Sequence, residues 1–125
     1  SGGVGRDKEV VMLKVPGSRG FGFRPRLAAE IIDEVEKLQP PAPPSKVALI
    51  TSAFGGGGLV VAKVVAGTPA HAAGLRKWDL IQQVNGRDAR NAGPATVRGW
   101  IQSAPALLPL RIYRNTAAAA AAEAL

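Results

Sequence analysis

Two glycines alternate with two phenylalanines at residues 20–23, shortly after the strand-like run Glu9–Val15. Glycine allows main-chain N–H groups to turn toward a ligand because no Cβ stands in the way. The alternating phenylalanines can point together into one apolar hollow. This segment therefore predicts a loop that holds a small anion beside an apolar side chain.

The length and composition limit the chain to one compact domain. It has 125 residues, and 46% of them are hydrophobic, which is enough for a core of its own. No run approaches the roughly 18 consecutive apolar residues of a membrane-spanning helix, and no signal peptide is indicated. The sequence contains no cysteine, which excludes disulfides, cysteine-ligated zinc and thiol nucleophiles. We expect a cytoplasmic protein that reaches membranes only through its partners.

The charge balance is strongly basic, with 16 lysines and arginines against 9 aspartates and glutamates, giving a net charge of +7. Such an excess favours anionic partners, among them nucleic acid, acidic peptides and lipid head groups. The basic residues nevertheless occur as singles and pairs, and too few aromatics lie among them to stack nucleic-acid bases. Nucleic acid is therefore disfavoured as a partner, whereas membrane-surface lipid stays open as a weaker alternative.

Apolar periodicity and turn residues predict alternating strands and helices. We expect Pro25 to mark a sheet edge, because proline cannot donate to a ladder of hydrogen bonds. The predicted helices cover Leu27–Leu38, a short segment after Thr68-Pro69, and a segment from Gly93-Pro94 to before Pro105. The predicted strands are Glu9–Val15, Phe23–Arg26, Val47–Phe54, Leu59–Val65, Leu80–Val84, Arg87–Ala89 and Leu108–Arg114.

These elements divide the chain into a lead-in, a domain and a tail. Residues 1–8 are expected to be disordered, and residues 9–115 to form the domain. Within the domain, residues 27–44 form a helical and proline-rich insertion. The alanine-rich tail, residues 116–125, permits a helix but offers nothing to pack, so we expect it to fray or to be ordered only by a neighbouring molecule.

Two blocks of the sequence resemble the PDZ domain family. Gly20-Phe21-Gly22-Phe23 is similar to the family's Gly-Leu-Gly-Phe carboxylate-binding loop. The run from Val64 to Gly86, VVAGTPAHAAGLRKWDLIQQVNG, resembles the family's block Gly-Ser-Pro-Ala, Ala-Gly-Leu, Gly-Asp, Ile and Val-Asn-Gly. The resemblance implies an α+β, PDZ-like fold. This is a partly open antiparallel β-barrel or sandwich of five to six strands with two helices, plus a helical insertion between the second and third strands.

The family recognises an extended peptide that ends in a free carboxylate, by adding the peptide as a strand to a sheet edge. The resemblance implies that the N–H groups of Phe21, Gly22 and Phe23 take the carboxylate. It implies a non-catalytic interaction module without cofactor or metal, part of a larger scaffold protein, whose partners are C-terminal peptides. The residues implied in ligand binding are Arg19, Gly20, Phe21, Gly22, Phe23, Arg24, Pro94, Arg98 and Ile101.

Two registers of the second helix are open. If Ile101 occupies the family's inward leucine position, Pro94 and Arg98 line the groove. If Trp100 occupies it, Gly93 and Val97 do. We favour the first, because Pro94 then becomes the first helical residue.

The chain departs from the family pattern at several positions. Neither Pro94 nor Gly93 can supply the hydrogen bond of the family's frequent helix histidine. Pro25 stands where the second strand normally donates an N–H to the peptide, which removes about 1 kcal/mol of net hydrogen bonding. Trp78 replaces a common glycine, and we expect a partly exposed aromatic there.

The resemblance leaves a second class of function open. A regulatory PDZ-like domain of a protease is the main alternative. The sole histidine, His71, has neither a cysteine nor a Gly-x-Ser-x-Gly segment to act with, so no catalytic or metal site is predicted. In addition, the tail Glu123–Leu125 has the chemistry of a PDZ ligand and could occupy a neighbouring molecule's groove.

Overall fold

A computed structural model of the protein describes residues 5–14 and 20–125, which contain six strands and five helices. The strands are β1 (Arg6–Leu13), β2 (Phe23–Leu27), β3 (Leu59–Val64), β4 (Leu80–Val84), β5 (Arg87–Asp88) and β6 (Leu107–Arg114). The helices are α1 (Ala28–Glu36), α2 (Pro44–Phe54), α3 (Pro69–Ala72), α4 (Pro94–Gln102) and α5 (Thr116–Glu123). None of these helices is long and apolar enough to cross a membrane.

The six strands form one antiparallel sheet in the order β1-β6-β4-β3-β2, with β5 paired to β4. The predicted edge position of β2 is confirmed. Asn85 and Gly86 both have positive φ, 51° and 81°, as the tight turn between β4 and β5 requires. Thr68 caps α3 as predicted, since its hydroxyl accepts from the His71 N–H at 3.4 Å.

The alternating side chains of the sheet divide the interior into two apolar clusters. The first, which we call the groove-side core, is built on Val10, Met12, Ile81 and Ile112 and is covered by Val97 of α4. The second, the outer core, joins Val60 and Leu80 to apolar residues of α1, α2 and α5. The sheet thus carries the two expected PDZ-type helices, α3 and α4, and an additional layer of three helices.

The prediction of a strand at Val47–Phe54 is wrong, because this segment is helix α2. Its β-branched residues suggested a strand, but Pro44 begins a helix, and Ile50, Ala53 and Phe54 lie on one face of it and are buried. Packing against α1 and α5 therefore overrides the local preference. The helical insertion consequently continues beyond the predicted limit of residue 44 to Phe54.

The prediction of a frayed tail is also wrong. Thr116–Glu123 forms α5, and Asn115 caps it by accepting from the Ala118 N–H at 3.0 Å. Ala118, Ala121 and Ala122 are buried against the outer core, where small side chains allow α5 to approach α2 closely. The tail therefore has a partner surface within its own domain, and this arrangement gives no support to head-to-tail binding.

The first strand begins earlier than predicted. β1 starts at Arg6, so residues 6–8 of the expected disordered lead-in are strand paired to β6. Residues 6–8 are exposed and charged, so they lack the apolar alternation that predicts a strand. Of the β1 side chains, only Val10 and Met12 point into the groove-side core. Residues 1–4 and Val15 lie outside the described residues.

Candidate functional site

Two main-chain hydrogen bonds join the glycine-aromatic loop, residues 20–23, to the segment that follows β3. The Phe21 carbonyl accepts from the Ala70 N–H at 2.8 Å, and the Gly22 carbonyl accepts from the Val65 N–H at 2.8 Å. The Phe21 side chain is 3% exposed and belongs to the groove-side core. The loop is therefore held to the segment that follows β3, which is the second of the two motif blocks.

A side chain at position 22 would collide with Thr68. Its φ is +89°, which favours glycine, and a Cβ would lie 2.2–2.4 Å from the side-chain atoms of Thr68. Thr68 is itself held by its hydroxyl, which donates to the Val65 carbonyl at 2.6 Å and caps α3. The two motif blocks thus occur together because one packs directly on the other.

The hydrogen-bond pattern shows which main-chain groups of β2 face the open edge of the sheet. Gly22 and Ala28 lie just outside the two ends of β2, and each is bonded toward β3: Val65 N–H donates to Gly22, and Ala28 N–H donates to the Gly58 carbonyl. Hydrogen-bonded and non-bonded pairs alternate along an antiparallel ladder. The main-chain groups that face the open edge are therefore those of Phe23, Pro25 and Leu27.

Pro25 interrupts this edge at its middle position. It supplies a carbonyl but no N–H, so a strand added here finds donors only at Phe23 and Leu27. Opposite Pro25 the register shifts, since Arg24 pairs with Lys63 and Pro25 pairs with Val61. The extra residue, Ala62, makes a bulge in β3.

Helix α4 contacts β2 from the other side of the groove-side core. Val97 is fully buried, whereas Trp100 and Ile101 are partly buried against the same core. A fully buried Val97 presents no surface to a ligand, which is contrary to the register in which Gly93 and Val97 line the groove. Pro94 and Arg98 are exposed, and Pro94 is the first residue of the helix.

The other predicted ligand residues lie in the loop and at the start of β2. Gly20 and Gly22 are half-buried in the loop, Phe23 begins β2 and packs on the groove-side core, and Arg24 is exposed on the strand. Arg19 lies outside the described residues, so its role stays a prediction. Two residues were missed from the sequence: Thr68, which supports Gly22, and Lys63, which lies directly opposite Arg24.

The basic residues are not all free to attract an anion. Five of the arginines and lysines in the described residues are paired: Arg26 with Glu34, Lys37 with Asp33, Lys77 with Glu123, Arg90 with Asp88, and Arg114 with Asp79. A sixth, Arg87, lies over the Trp100 ring at 5.4 Å. These contacts weaken the case for a broad lipid- or nucleic-acid-binding face.

The ion pair between Arg114 and Asp79 is largely buried, and Asp79 directly follows Trp78 in the sequence. Asp79 is 1% exposed and accepts from Arg114 through both carboxylate oxygens, at 2.9 and 2.8 Å. The hydrogen bond to this carboxylate raises the pKa of Arg114 above its usual value. Arg114 also donates to the Gly74 carbonyl at 2.8 Å, so the pair fixes the turn between α3 and β4.

Trp78 itself has φ +76°, a left-handed conformation that favours glycine, the residue that the family resemblance implies at this position. Its indole N–H donates to Glu123 of α5 at 2.7 Å, and Lys77 reaches the same carboxylate at 3.1 Å. These hydrogen bonds, that of Trp78 first, lower the pKa of Glu123. Trp78 thus holds the tail helix, a role that its position in the sequence did not reveal.

Within residues 5–14 and 20–125, no group of three or more histidine or acidic side chains could hold a metal ion. The loop, the open edge of β2 and α4 thus combine main-chain groups with apolar side chains that pack on the groove-side core.

Comparison with known proteins agrees with this geometry. The PDZ domain family model matches residues 9–113. The structure is similar to the PDZ domain of choanoflagellate SHANK1 bound to a GIRK3 peptide, with 22% identity, a TM-score of 0.61, and 90% of this chain and 96% of that chain covered. It is also similar to the N-terminal PDZ domain of InaD in complex with a NorpA C-terminal peptide, with 23% identity, a TM-score of 0.61, and 88% and 98% coverage.

A third similar structure is INAD PDZ3 in complex with a TRP channel tail, at 14% identity and a TM-score of 0.58, covering 85% of this chain and 84% of that chain. A comparison with curated protein sequences gives no match. The family match spans most of the chain and includes both motif blocks. The chain therefore belongs to the PDZ domain family.

Proposed function

We propose that this domain binds the C-terminal carboxylate and last few residues of partner proteins by strand addition to β2. The ligand runs antiparallel to β2, with its end at the glycine-aromatic loop. The main support is the open edge of β2, where the Phe23 main chain faces outward beside a loop that two hydrogen bonds hold in place. The similar SHANK1 and InaD domains carry peptides in their structures.

The carboxylate is received by the N–H groups of Phe21, Gly22 and Phe23. The carbonyls of Phe21 and Gly22 are occupied by bonds to the body of the domain, which orients the loop. Main-chain donors held in this way bind an anion without the entropy cost of ordering the loop. Arg19 contacts the carboxylate directly or through water, as the sequence predicts, and Gly20 belongs to the same loop.

The last side chain of the ligand packs on Phe23 and Ile101, which are partly buried, with the nearly fully buried Phe21 behind them. All three pack on the groove-side core, so the pocket is apolar and suits an aliphatic residue. Pro94 and Arg98 border the groove farther along α4. Gly93 and Pro94, at the start of α4, offer no side-chain hydrogen bond, so the ligand side chain two residues before the end is recognised weakly.

The test is a titration with two labelled peptides that end in Ala-Leu and differ only at the terminus. One has a free carboxylate and the other an amide. We expect the amide to bind at least about tenfold more weakly, because it loses the charge-assisted hydrogen bonds. Equal binding of both forms would contradict the carboxylate mechanism, whatever the affinity.

We further propose that the domain is a non-catalytic part of a larger scaffold protein, as the family resemblance implies. Its role there is to bring a partner's C-terminus to the rest of the chain. Co-purification of the full-length protein with a partner should be lost when the partner's last residues are removed.

A further inference from the structure

Arg24 and Lys63 are a pair of like charges on the outer face of the sheet. They lie directly opposite each other on β2 and β3, and both are exposed. Side chains at such positions have their Cβ atoms about 5 Å apart, and like charges there are destabilising. An anion between or beside them would remove this repulsion.

The chain supplies no such anion in the part that the structure describes. Neither Arg24 nor Lys63 has a carboxylate within ion-pair distance there, and the sequence outside those residues, 1–4 and 15–19, contains no acid. The neighbouring Arg26 is different. It donates to both carboxylate oxygens of Glu34, at 3.2 and 2.5 Å, and lies 3.7 Å from Glu30. In the part of the chain that the structure describes, Arg24 and Lys63 thus have no acidic partner, whereas Arg26 has two.

The edge geometry determines which ligand residue comes next to this pair. If the last ligand residue lies opposite Phe23, the penultimate residue lies opposite Arg24, and the residue two before it lies opposite Arg26. Directly opposite residues share a face of the sheet. The penultimate side chain therefore points to the outer face, next to Arg24 and one strand away from Lys63, and away from the apolar pocket.

We propose that Arg24 and Lys63 form a subsite that selects ligands with an acidic penultimate residue. This inference rests on the proposed function and adds to it a determinant of specificity. Arg26 makes no comparable contribution, because Glu34 and Glu30 already neutralise it. The preferred ligand is thus a C-terminus with an aliphatic last residue preceded by glutamate or aspartate.

The experiment uses labelled peptides that end in Ala-X-Leu, where X is glutamate, glutamine or lysine, with a free carboxylate. Binding is followed by fluorescence anisotropy. We expect the glutamate peptide to bind about two- to fivefold more tightly than the glutamine peptide, in the range of exposed ion pairs. The lysine peptide should bind more weakly than both, and added salt should reduce the differences.

The double variant Arg24→Gln/Lys63→Gln should bind the three peptides alike. The matched control, Lys8→Gln/Arg111→Gln, removes the same charge from exposed positions on β1 and β6, away from the ligand edge. It should keep the preference for glutamate. The reversed variant Arg24→Glu/Lys63→Glu should prefer the lysine peptide, and circular dichroism confirms that each variant is folded.

Equal affinity of the parent protein for the glutamate and glutamine peptides overturns the subsite, and so does a preference that survives in the double variant. The amidated glutamine peptide separates this failure from that of the proposed function. If it binds as well as its free form, the carboxylate mechanism fails. If it binds more weakly while glutamate and glutamine do not differ, only the subsite fails.

Discussion

The two faces of the sheet are built by different means. On the groove side, main-chain geometry decides the structure: Gly22 is required by its φ and by Thr68, and the loop carbonyls are bonded. On the outer side, α1, α2 and α5 are held by side-chain packing around Phe54 and three buried alanines. A groove that binds main chain needs an exact backbone, whereas a supporting layer needs only well-filled volume. Substitutions on the two faces should therefore have separable effects.

The largest expected effect is on the outer layer. Phe54 is 1% exposed, and Phe54→Ala should lower the free energy of unfolding by about 3–5 kcal/mol because it leaves a cavity. Urea denaturation measures this. The milder Phe54→Leu, expected to cost about 1–2 kcal/mol, keeps the domain folded for peptide titration. The affinity of Phe54→Leu for the peptide should equal that of the parent protein, and a marked loss of affinity would show that the two faces of the sheet are coupled.

On the groove side, Gly22→Ala should weaken peptide binding by about tenfold or more. The new Cβ would contact Thr68 and the residue would keep an unfavourable φ, at a cost of about 1–3 kcal/mol. Gly99→Ala is the control, because a Cβ at this exposed position of α4 meets nothing within 4 Å. That control should bind normally and be slightly more stable. Similar affinities for the two variants would contradict the assignment of the loop.

Helix α5 offers a matched pair of substitutions. Ala118 is fully buried, so Ala118→Leu should overpack the contact with α2 and cost about 1–3 kcal/mol of stability. Ala120 is exposed on the same helix, and Ala120→Leu should change stability by less than about 0.5 kcal/mol. Thermal unfolding distinguishes them, and equal midpoints would mean that α5 is not docked in solution.

The smallest effect is a pH dependence from Glu123. Its pKa is lowered in the folded domain, so its contribution to stability is present above the ordinary carboxyl pKa and is lost as the pH falls through the lowered value. The unfolding midpoints of the parent and Glu123→Gln should therefore differ at neutral pH and converge in acid. Glu36→Gln, at an exposed position with no ion pair in the described part of the chain, should parallel the parent throughout.

The groove side could be predicted from the sequence because its signals are local. The glycines of the loop, the Thr68 cap, the Asn85-Gly86 turn and Pro94 each specify a backbone conformation without reference to distant residues. The edge position of β2 followed from Pro25 alone. The edge strand β2 and helix α4 consequently lie where the sequence indicated them.

The outer layer could not be predicted in the same way. The run Val47–Phe54 has a strand-like composition, and only its packing on α1 and α5 makes it a helix. The alanines of α5 carry little hydrophobic signal, and their value lies in the close approach they allow to α2. The partner of Trp78 is 45 residues away in the chain, so no local pattern indicated it. The positions of α2, α5 and the Trp78 side chain thus depend on contacts between residues that are far apart in the sequence.

When the groove is empty, β2 is an exposed strand edge, and such edges can pair with any other extended chain. The proline in the middle of β2 and the bulge opposite it counter this hazard, because an indiscriminate partner strand finds a missing donor and an irregular ladder. Arg24 adds an exposed positive charge on the same strand. The feature that weakens the ladder for a ligand therefore also protects the unliganded domain from aggregation.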